Sequence, residues 1–255
     1  MKAIKYNWRK ISRPLKPDFF MGSLEYVIAV PEDLELILEF IIEEYHPRQE
    51  LNRAIGLTVD LAIPGYRRIL NQILKQPYSI IGFQDNVLVA ASMCTIKEYP
   101  RNPERYKPYI WEIKSDYGEE IKEYHDDKNF LLSFYFNQLE SDIDQIVPDC
   151  KRLLNGEMVC VKSDISNMGI STEIMELSLK WAIYNDCDYT MGTSTSKTAL
   201  RVSEKNGCTA VKEFPPYKFI VNGKKVFNCG PNDEACGVLS IKKLQFDHAK
   251  LRCKI

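Results

Sequence analysis

The stretch from Asn155 to Asn185 constrains the fold of this chain more than any other. It opens with an apolar run, Met158 to Val161, that is typical of a buried strand. A polar loop, 162–168, and Gly169 lead into a segment whose apolar residues recur at helical spacing. Because the first N–H groups of a helix lack intrahelical acceptors, a strand, a tight loop and a helix start can bind an anion. The sequence predicts such a site here; an ordinary βα unit with a polar loop is the alternative.

Several classes of partner are excluded by what the sequence lacks. It contains neither G-x-x-x-x-G-K-S/T nor G-x-G-x-x-G, which argues against nucleoside triphosphates and dinucleotides. The formal net charge of −1 gives no electrostatic reason to expect binding of nucleic acid. No apolar run approaches the length of a membrane span, and the N-terminus lacks the apolar core of a signal peptide. We therefore expect neither nucleic acid nor membrane as a partner.

The cysteines carry no signature of a metal site. All eight lie outside any C-x-x-C pair, so the spacing of zinc ligands is absent. Without a secretory signal, disulfides are not expected either. We therefore predict a cytoplasmic protein with no metal and no structural disulfide.

The remaining patterns predict one mixed domain of the α+β (mixed α/β) class. Residues 1–25 are an N-terminal arm, expected to be solvated at its basic residues, and residues 26–255 form a single domain. Residues of about 98–127 form an insertion, interpreted either as a surface insertion or as a loop followed by a helix. The element order predicts a central mixed sheet with helices on both faces, and Asn222-Gly223 predicts a C-terminal β-hairpin. Residues 48–57 read as a polar connector.

Two helices are expected with interruptions or sharp ends. Residues 58–75 form one, which Pro64-Gly65 should break or kink, and residues 130–147 form another, which Pro148 ends.

The order of these elements resembles the GNAT superfamily of acetyl-CoA-dependent N-acetyltransferases. That superfamily marks its cofactor loop with Q/R-x-x-G-x-G/A. The aligned residues here are Ser166, Asn167, Met168, Gly169, Ile170 and Ser171. Gly169 matches, Ser171 is a small residue where Gly or Ala is usual, and Ser166 replaces the Arg or Gln.

Within the superfamily, the chain is more similar to the arylalkylamine N-acetyltransferases of invertebrates. Leu51-Asn52 stands near that group's Glu-Pro-Leu-Asn motif, and Thr195-Ser196 resembles its Thr/Ser pair after the fifth strand. The segment 217–244 resembles its terminal hairpin. The likeness covers roughly residues 26–244, and the insertion departs from it.

The resemblance implies that acetyl-CoA is the co-substrate. Its pyrophosphate would bind loop amides and nearby hydroxyls, and its pantetheine arm would pair with the preceding strand. A backbone N–H there would bind the thioester oxygen. The implied cofactor-binding residues are Met158, Val159, Cys160, Val161, Ser166, Asn167, Met168, Gly169, Ile170, Ser171, Thr172 and Ser203. Without a cation at Ser166, we expect weaker binding than is usual in the superfamily.

The acceptor amine needs a base, because an alkylammonium with a pKa near about 10.4 cannot attack. In the arylalkylamine enzymes the Glu of the motif is the base, and Gln49 stands at that position here. Our hypothesis is that Glu50 acts instead, with Thr195 and Ser196 relaying the proton. A solvated Glu50 is the alternative, and His46 is the reserve base. Tyr45 and Gln49 are the expected substrate contacts.

The leading function is transfer of acetyl to the primary amine of an arylalkylamine (dopamine, tryptamine, serotonin, octopamine class) by direct attack in a ternary complex. A polyamine or a protein amine is the alternative acceptor. Ser166, Asn167 and Ser203, the last standing where many relatives place a general-acid tyrosine, also leave open a non-catalytic acyl-CoA-binding module. The expected partners are acetyl-CoA and a small amine, bound by a monomer or homodimer.

Overall fold

The computed structural model of the chain describes residues 13, 22–100, 106, 109–124 and 126–245. Most of the predicted N-terminal arm lies outside the described residues. The strands are β1 (Glu25–Ile28), β2 (Ile80–Gln84), β3 (Val87–Glu98), β4 (Arg152–Val161), β5 (Tyr189–Ser196), β6 (Thr209–Glu213), β7 (Ile220–Val221), β8 (Lys224–Lys225) and β9 (Ala235–Lys243). The α-helices are α1 (Leu34–Phe40), α2 (Glu50–Ile55), α3 (Val59–Ile73), α4 (Gly118–Ile121), α5 (Lys128–Glu140), α6 (Ile143–Ile146), α7 (Ile170–Tyr184) and α8 (Lys197–Lys205).

Seven of the strands form one mixed sheet in the order β1-β2-β3-β4-β5-β9-β6. Only β4 and β5 pair in parallel, which follows from the crossover through α7 between them. The strands β7 and β8 form a separate hairpin around Asn222-Gly223, whose positive φ angles of 50° and 74° suit a two-residue turn. The predicted mixed sheet is confirmed.

Helices cover both faces of the sheet, as predicted. Val27 and Ala29 of the first strand region pack in a cluster with α1 and α3. Tyr26 and Ile28, which alternate with them, pack with α7 on the opposite face. The period of two in the sequence therefore sorts these side chains between two apolar layers.

The sheet opens in its middle, between β4 and β5. The parallel pairing runs only from Leu153 to Gly156, whereas β4 stays paired with β3 as far as Val161. In that pairing Met93 lies opposite Met158 and Cys94 opposite Gly156, so Glu157 is the extra residue of a β-bulge. A bulge bends its strand and increases the local twist. The second half of β4 therefore turns away from β5 and leaves one edge open.

Residues 48–57 correct a sequence prediction, because most of them form helix α2 rather than a connector. The Gln49 side chain accepts hydrogen bonds from the N–H groups of Leu51 and Asn52, at 2.5 and 3.1 Å, and so caps the helix. Gly56, with φ of 66°, ends it. Glutamine is an uncommon cap residue, which is why the sequence pattern did not indicate this helix.

Two further helices differ in part from the sequence prediction. Pro64 and Gly65 do not interrupt α3, which runs over 15 residues. The hydrogen bond that Pro64 cannot donate would go to Asp60, in the solvent-exposed first turn, where water can bind the carbonyl. The predicted helix over 130–147 is divided after Glu140, because Asp142 adopts a left-handed conformation with φ of 60°.

The insertion is not confined to the surface. Tyr117 and Ile121 are 1% and 0% exposed and belong to the core cluster that holds α2 and α5. Arg13 is likewise not solvated, since its guanidinium binds the buried Asp33 carboxylate at 2.7 and 2.9 Å. None of the described helices is long and apolar enough to cross a membrane.

Candidate functional site

Two cavities lie on either side of the point where β4 leaves β5. The larger, of about 580 Å³, is bounded by the second half of β4, the following loop and the end of β5 with α8. The smaller, of about 250 Å³, lies between α3 and α5. Seven residues line both cavities: Tyr45, Gln49, Gly156, Glu157, Met158, Thr193 and Thr195. The cavities therefore meet at the opening of the sheet.

Most of the predicted cofactor residues lie at the larger cavity. Those that line it are Met158, Val159, Cys160, Val161, Ser166, Asn167, Ser171 and Ser203. The other four do not. Ile170 is turned into the core under α7, the Met168 side chain is 71% exposed, and Gly169 and Thr172 belong to the start of the helix.

Gly169 caps α7 in the left-handed region, with φ of 82°. Its carbonyl accepts the N–H groups of Thr172 and Glu173, at 3.0 and 3.1 Å, which sets the first turn. A Cβ at this position would meet no atom within 4 Å, so the backbone borders open space. This arrangement suits a bulky anion in front of the helix N-terminus, where the helix dipole and free amides attract it.

The open edge of β4 suits an extended ligand. Lys162, directly after β4, donates its backbone N–H to the Val89 carbonyl on β3. Because backbone groups alternate in direction along a strand, the N–H and C=O groups of Val161 and Val159 point away from β3, toward the open edge. In this structure Arg48 Nη2 donates to the Val161 carbonyl at 2.5 Å and lies 3.7 Å from Cys160 Sγ. An edge with unpaired backbone groups can pair with an amide-containing chain such as pantetheine.

Arg48 places a positive charge beside the loop 162–168 that follows β4. The sequence analysis did not identify this residue. Glu44 holds it by an i,i+4 pair and also accepts the N–H of Ser163 at 2.9 Å. The guanidinium thus lies against the end of β4 just before the loop in which Ser166 stands in place of a cation. The signal in the sequence was the Glu44–Arg48 spacing at the end of a helix.

The predicted catalytic residues lie near the junction in different settings. Glu50 lines only the larger of the two cavities, and its carboxylate pairs with Arg53 one turn later in α2. Thr195 lines both cavities. The Ser196 hydroxyl accepts the N–H of Ala199 at 3.1 Å, which caps α8.

The predicted substrate contacts, Tyr45 and Gln49, both lie at the junction. Tyr45 belongs to a turn of π-helix, a distortion often found at functional sites. Burial raises the pKa of Tyr45 well above its usual value, so the phenol stays neutral. The Gln49 side-chain oxygen is engaged by the helix cap.

The reserve base, His46, lies in a buried network behind the junction. Its Nδ1 is 3.0 Å from Tyr66 Oη and 3.2 Å from Asn52 Nδ2. Burial lowers the pKa of His46, which keeps the ring neutral at pH 7. The ring lines neither cavity, so its contact with a ligand would pass through Tyr66 or Asn52.

Two carboxylates at the site were not among the predicted residues. Glu157, the bulge residue, accepts hydrogen bonds at Oε1 from Thr95 Oγ1 at 2.9 Å and Asn155 Nδ2 at 2.6 Å. Glu140, at the end of α5, accepts one from Thr193 Oγ1 at 3.0 Å. Glu157 directly precedes the apolar run from Met158 to Val161, and a charged residue at that point of a strand was the available signal.

Burial raises the pKa of the Glu140 carboxyl above its ordinary value. Lys97 Nζ, 3.8 Å away, opposes the shift, and the nearby charge of Glu157 adds to it. A carboxylate with a raised pKa in a cavity is suited to bind or accept a proton.

Across the described residues, no cluster of three or more His, Cys, Asp or Glu side chains could hold a metal ion. The described cysteines are free thiols. Burial raises the pKa of Cys160, at the larger cavity, to about 12, which keeps its thiol protonated and unreactive at pH 7.

No model of a protein family matches the sequence, and no curated protein matches it either. Solved structures match the fold. Arylalkylamine N-acetyltransferase 2 from Aedes aegypti superimposes with a TM-score of 0.69 at 15% identity, covering 88% of this chain and 100% of that one. The polyamine N-acetyltransferase of Drosophila melanogaster, which forms N-acetylagmatine, gives 0.67 at 13% identity, with 86% and 100% covered. The C-terminal condensation domain of Ebony, solved with β-alanyl-dopamine, gives 0.63 at 15% identity, with 88% and 100% covered.

These three neighbours cover most of this chain and their own full length. Together with the opened sheet and the Gly169 loop, they identify the fold predicted from the sequence resemblance. The chain has the fold of the GNAT N-acetyltransferases.

Proposed function

We propose that this protein transfers the acetyl group of acetyl-CoA to the primary amine of an arylalkylamine. The observation that carries the proposal is the meeting of two cavities at the opening between β4 and β5. One cavity has an anion-binding helix start and an open strand edge, and the other has aromatic and acidic walls. A thioester and an amine bound in them would meet at residues 156–158 and 193–195.

Acetyl-CoA fits the residues of the larger cavity. The amides at the start of α7, with the Ser166 and Ser171 hydroxyls and Arg48, would hold its phosphates. The open edge of β4 would pair with its pantetheine amides once Arg48 releases the Val161 carbonyl. The bound co-substrate supplies the acetyl group as a thioester. Arg48 would supply a positive charge that Ser166 lacks. We therefore expect acetyl-CoA to bind more tightly than the sequence of the loop suggests.

The acceptor cavity supports an aryl amine. Tyr45, Tyr66 and Phe136 line it, and aromatic walls favour a flat apolar group. The amine nitrogen would form a C–N bond with the acetyl carbon as the C–S bond breaks, and the nitrogen loses its protons to a base and to the leaving thiol. Direct attack in a ternary complex needs no covalent enzyme intermediate, which agrees with the protonated Cys160.

A polyamine acceptor is the second candidate. Glu140 and Glu157 both line the smaller cavity, and two carboxylates favour an amine with a second positive charge. One structural neighbour is named for an aryl amine and another for agmatine, so the fold accommodates both classes in other proteins. A non-catalytic acyl-CoA-binding module is the remaining alternative. We also propose a cytoplasmic setting, on the strength of the free cysteines.

We expect acetyl-CoA to stabilise the fold, because it binds only the folded chain. At about 100 times its Kd the free energy of unfolding should rise by about 2.7 kcal/mol. Thermal unfolding with and without acetyl-CoA measures this, with adenosine as the control that lacks the pyrophosphate. An unchanged Tm at saturating acetyl-CoA would refute the cofactor assignment.

Turnover is measured by thiol release with a panel of amines: dopamine, tryptamine, agmatine, spermidine and a lysine peptide. We expect the highest kcat/KM with an arylalkylamine. A preference for agmatine or spermidine would establish the second candidate instead. Stabilisation by acetyl-CoA with no release above the amine-free rate would indicate a binding module.

A further inference from the structure

Glu157 owes its position to the backbone of β4. As the extra residue of the bulge, it lies where the strand bends away from β5, directly after the last parallel pair, Gly156 and Gly192. Bulges re-aim a side chain and occur next to active sites. The bend that opens the sheet therefore also turns this carboxylate toward the opening.

Glu157 is one of the seven residues that line both cavities. It directly precedes Met158, in the stretch that would border the thioester. Glu50, by comparison, lines only the larger cavity and is held by Arg53. Glu140 lines only the smaller one. Of these three carboxylates, Glu157 alone contacts both spaces.

Its hydrogen bonds leave one oxygen for a ligand. Thr95 and Asn155 both donate to Oε1. Within the residues that the structure describes, Oε2 accepts no hydrogen bond. Two donors on one oxygen fix the carboxylate plane, so the second oxygen can accept a proton without losing the contacts that position the group.

The charges around Glu157 favour a cationic ligand. Glu140 of α5, which pairs with Lys97 of β3, is close enough to Glu157 for the two charges to repel each other. The charge of Glu157 also acts on the Cys94 thiol of β3. Arg68 of α3 lines the same cavity. Lys97 pairs with Glu140, whereas Glu157 forms no ion pair among the described residues, so its charge can attract an ammonium ligand.

From these observations we infer that Glu157 is the catalytic base that takes the proton from the acceptor ammonium, and that Glu140 is the second carboxylate that binds it. The inference rests on the proposed acetyl transfer. The ammonium gives one proton to Glu157 Oε2, and the neutral amine then forms the C–N bond while the C–S bond breaks. The second proton goes with the thiol, and Glu157 returns its own to water. The acceptor class is an amine that carries no anionic group beside its nitrogen.

The test compares three carboxamide variants, Glu157→Gln, Glu140→Gln and Glu50→Gln, with a control, Glu176→Gln. The Glu176 side chain lies on α7 and is 57% exposed. Each is measured for kcat, KM and their pH dependence with the best amine of the panel. Amine affinity without acetyl-CoA is measured by calorimetry as a readout independent of turnover. The Tm shift with acetyl-CoA confirms that each variant folds and binds the co-substrate.

For Glu157→Gln we expect kcat/KM to fall by roughly 10²- to 10⁴-fold, the usual worth of a general base, with loss of the acidic limb of its pH profile. Glu157→Asp should recover part of the rate. Glu140→Gln should raise KM and weaken amine binding more than it lowers kcat. Glu50→Gln should lower kcat/KM far less than Glu157→Gln does, and the control Glu176→Gln should keep wild-type kinetics.

Three outcomes separate the hypotheses. Wild-type kinetics and an unchanged acidic limb in Glu157→Gln, with loss of rate in Glu50→Gln, would overturn the inference and assign the base to Glu50. Wild-type turnover that none of the three variants alters would also overturn it. A wild-type protein that acetylates no amine would overturn the proposed function itself, whatever the variants do.

Discussion

At the scale of single residues, Gly169 meets a backbone requirement, and under the proposed function it meets a ligand requirement as well. Its φ of 82° disfavours any other residue, and a Cβ there would project into open space in front of α7. We expect Gly169→Val to lower the free energy of unfolding by about 1–2 kcal/mol through backbone strain. It should also abolish stabilisation by acetyl-CoA, because the branched side chain would occupy the phosphate site.

Gly223 offers a matched control for this prediction. It has a φ of 74°, likewise with no atom within 4 Å of a Cβ, but it lies in the β7–β8 hairpin. Gly223→Val should cost a similar strain energy and keep the acetyl-CoA shift. Thermal unfolding of both variants with and without acetyl-CoA checks this. Equal acetyl-CoA shifts in the two variants would contradict a phosphate site at Gly169.

At the scale of elements, Asp116 ties the insertion to the β7–β8 hairpin. Its carboxylate accepts the N–H groups of Gly223 at 2.6 Å, Gly118 at 2.7 Å and Asn222 at 3.0 Å. These hydrogen bonds, led by Gly223, lower the pKa of Asp116 below its ordinary value. The stabilisation should therefore be present above the unfolded pKa of about 3.9 and be lost as pH falls through the lower folded pKa.

Asp116→Asn removes the titrating group while keeping one acceptor oxygen. We expect a lower Tm at pH 6, with a difference from wild type that shrinks as the pH falls below about 4, because wild-type Asp116 is then protonated as well. Differential scanning calorimetry between pH 6 and pH 2.5 measures it. A difference in Tm that stays constant over this range would contradict the role of the Asp116 charge.

At the scale of the whole molecule, an aromatic cluster joins segments that are distant in the sequence. The Tyr117 ring of the insertion lies 5.8 Å from Phe134, 5.7 Å from Phe214 and 5.4 Å from Phe219, centroid to centroid. Because Tyr117 is 1% exposed, Tyr117→Ala should lower the free energy of unfolding by about 3–5 kcal/mol, the usual cost for a large aromatic residue.

Tyr106, in the same insertion and 65% exposed, provides the control. Tyr106→Ala should change stability by no more than about 0.5 kcal/mol. Urea unfolding of both variants gives the comparison. If the two substitutions cost the same, residues 98–127 act as the surface insertion that the sequence predicts and do not complete the core.

Part of this architecture could be read from the sequence, because it depends on neighbouring residues. The apolar run from Met158 to Val161 predicted the second half of β4, and Gly169 followed by helical spacing predicted the start of α7 and an anion site in front of it. Helix α2 was missed because its cap is a glutamine, and the burial of Tyr117 was missed because its partners are about 17 to 102 positions away. Local pattern carries no information about such contacts.

The sequence alone therefore determined most of the central strands and the start of α7, and it predicted a cofactor loop before that helix, since these follow from local periodicity and backbone preference. Tertiary structure decided where the chemistry lies. A single extra residue in β4, visible only from its register against β3, opens the sheet and turns Glu157 toward both cavities. Arg48 binds the Val161 carbonyl at the end of β4, 113 positions further along the chain. Glu140 of α5 accepts a hydrogen bond from Thr193 of β5. Register and side-chain convergence are properties of the folded chain, because they depend on which distant segments pack together.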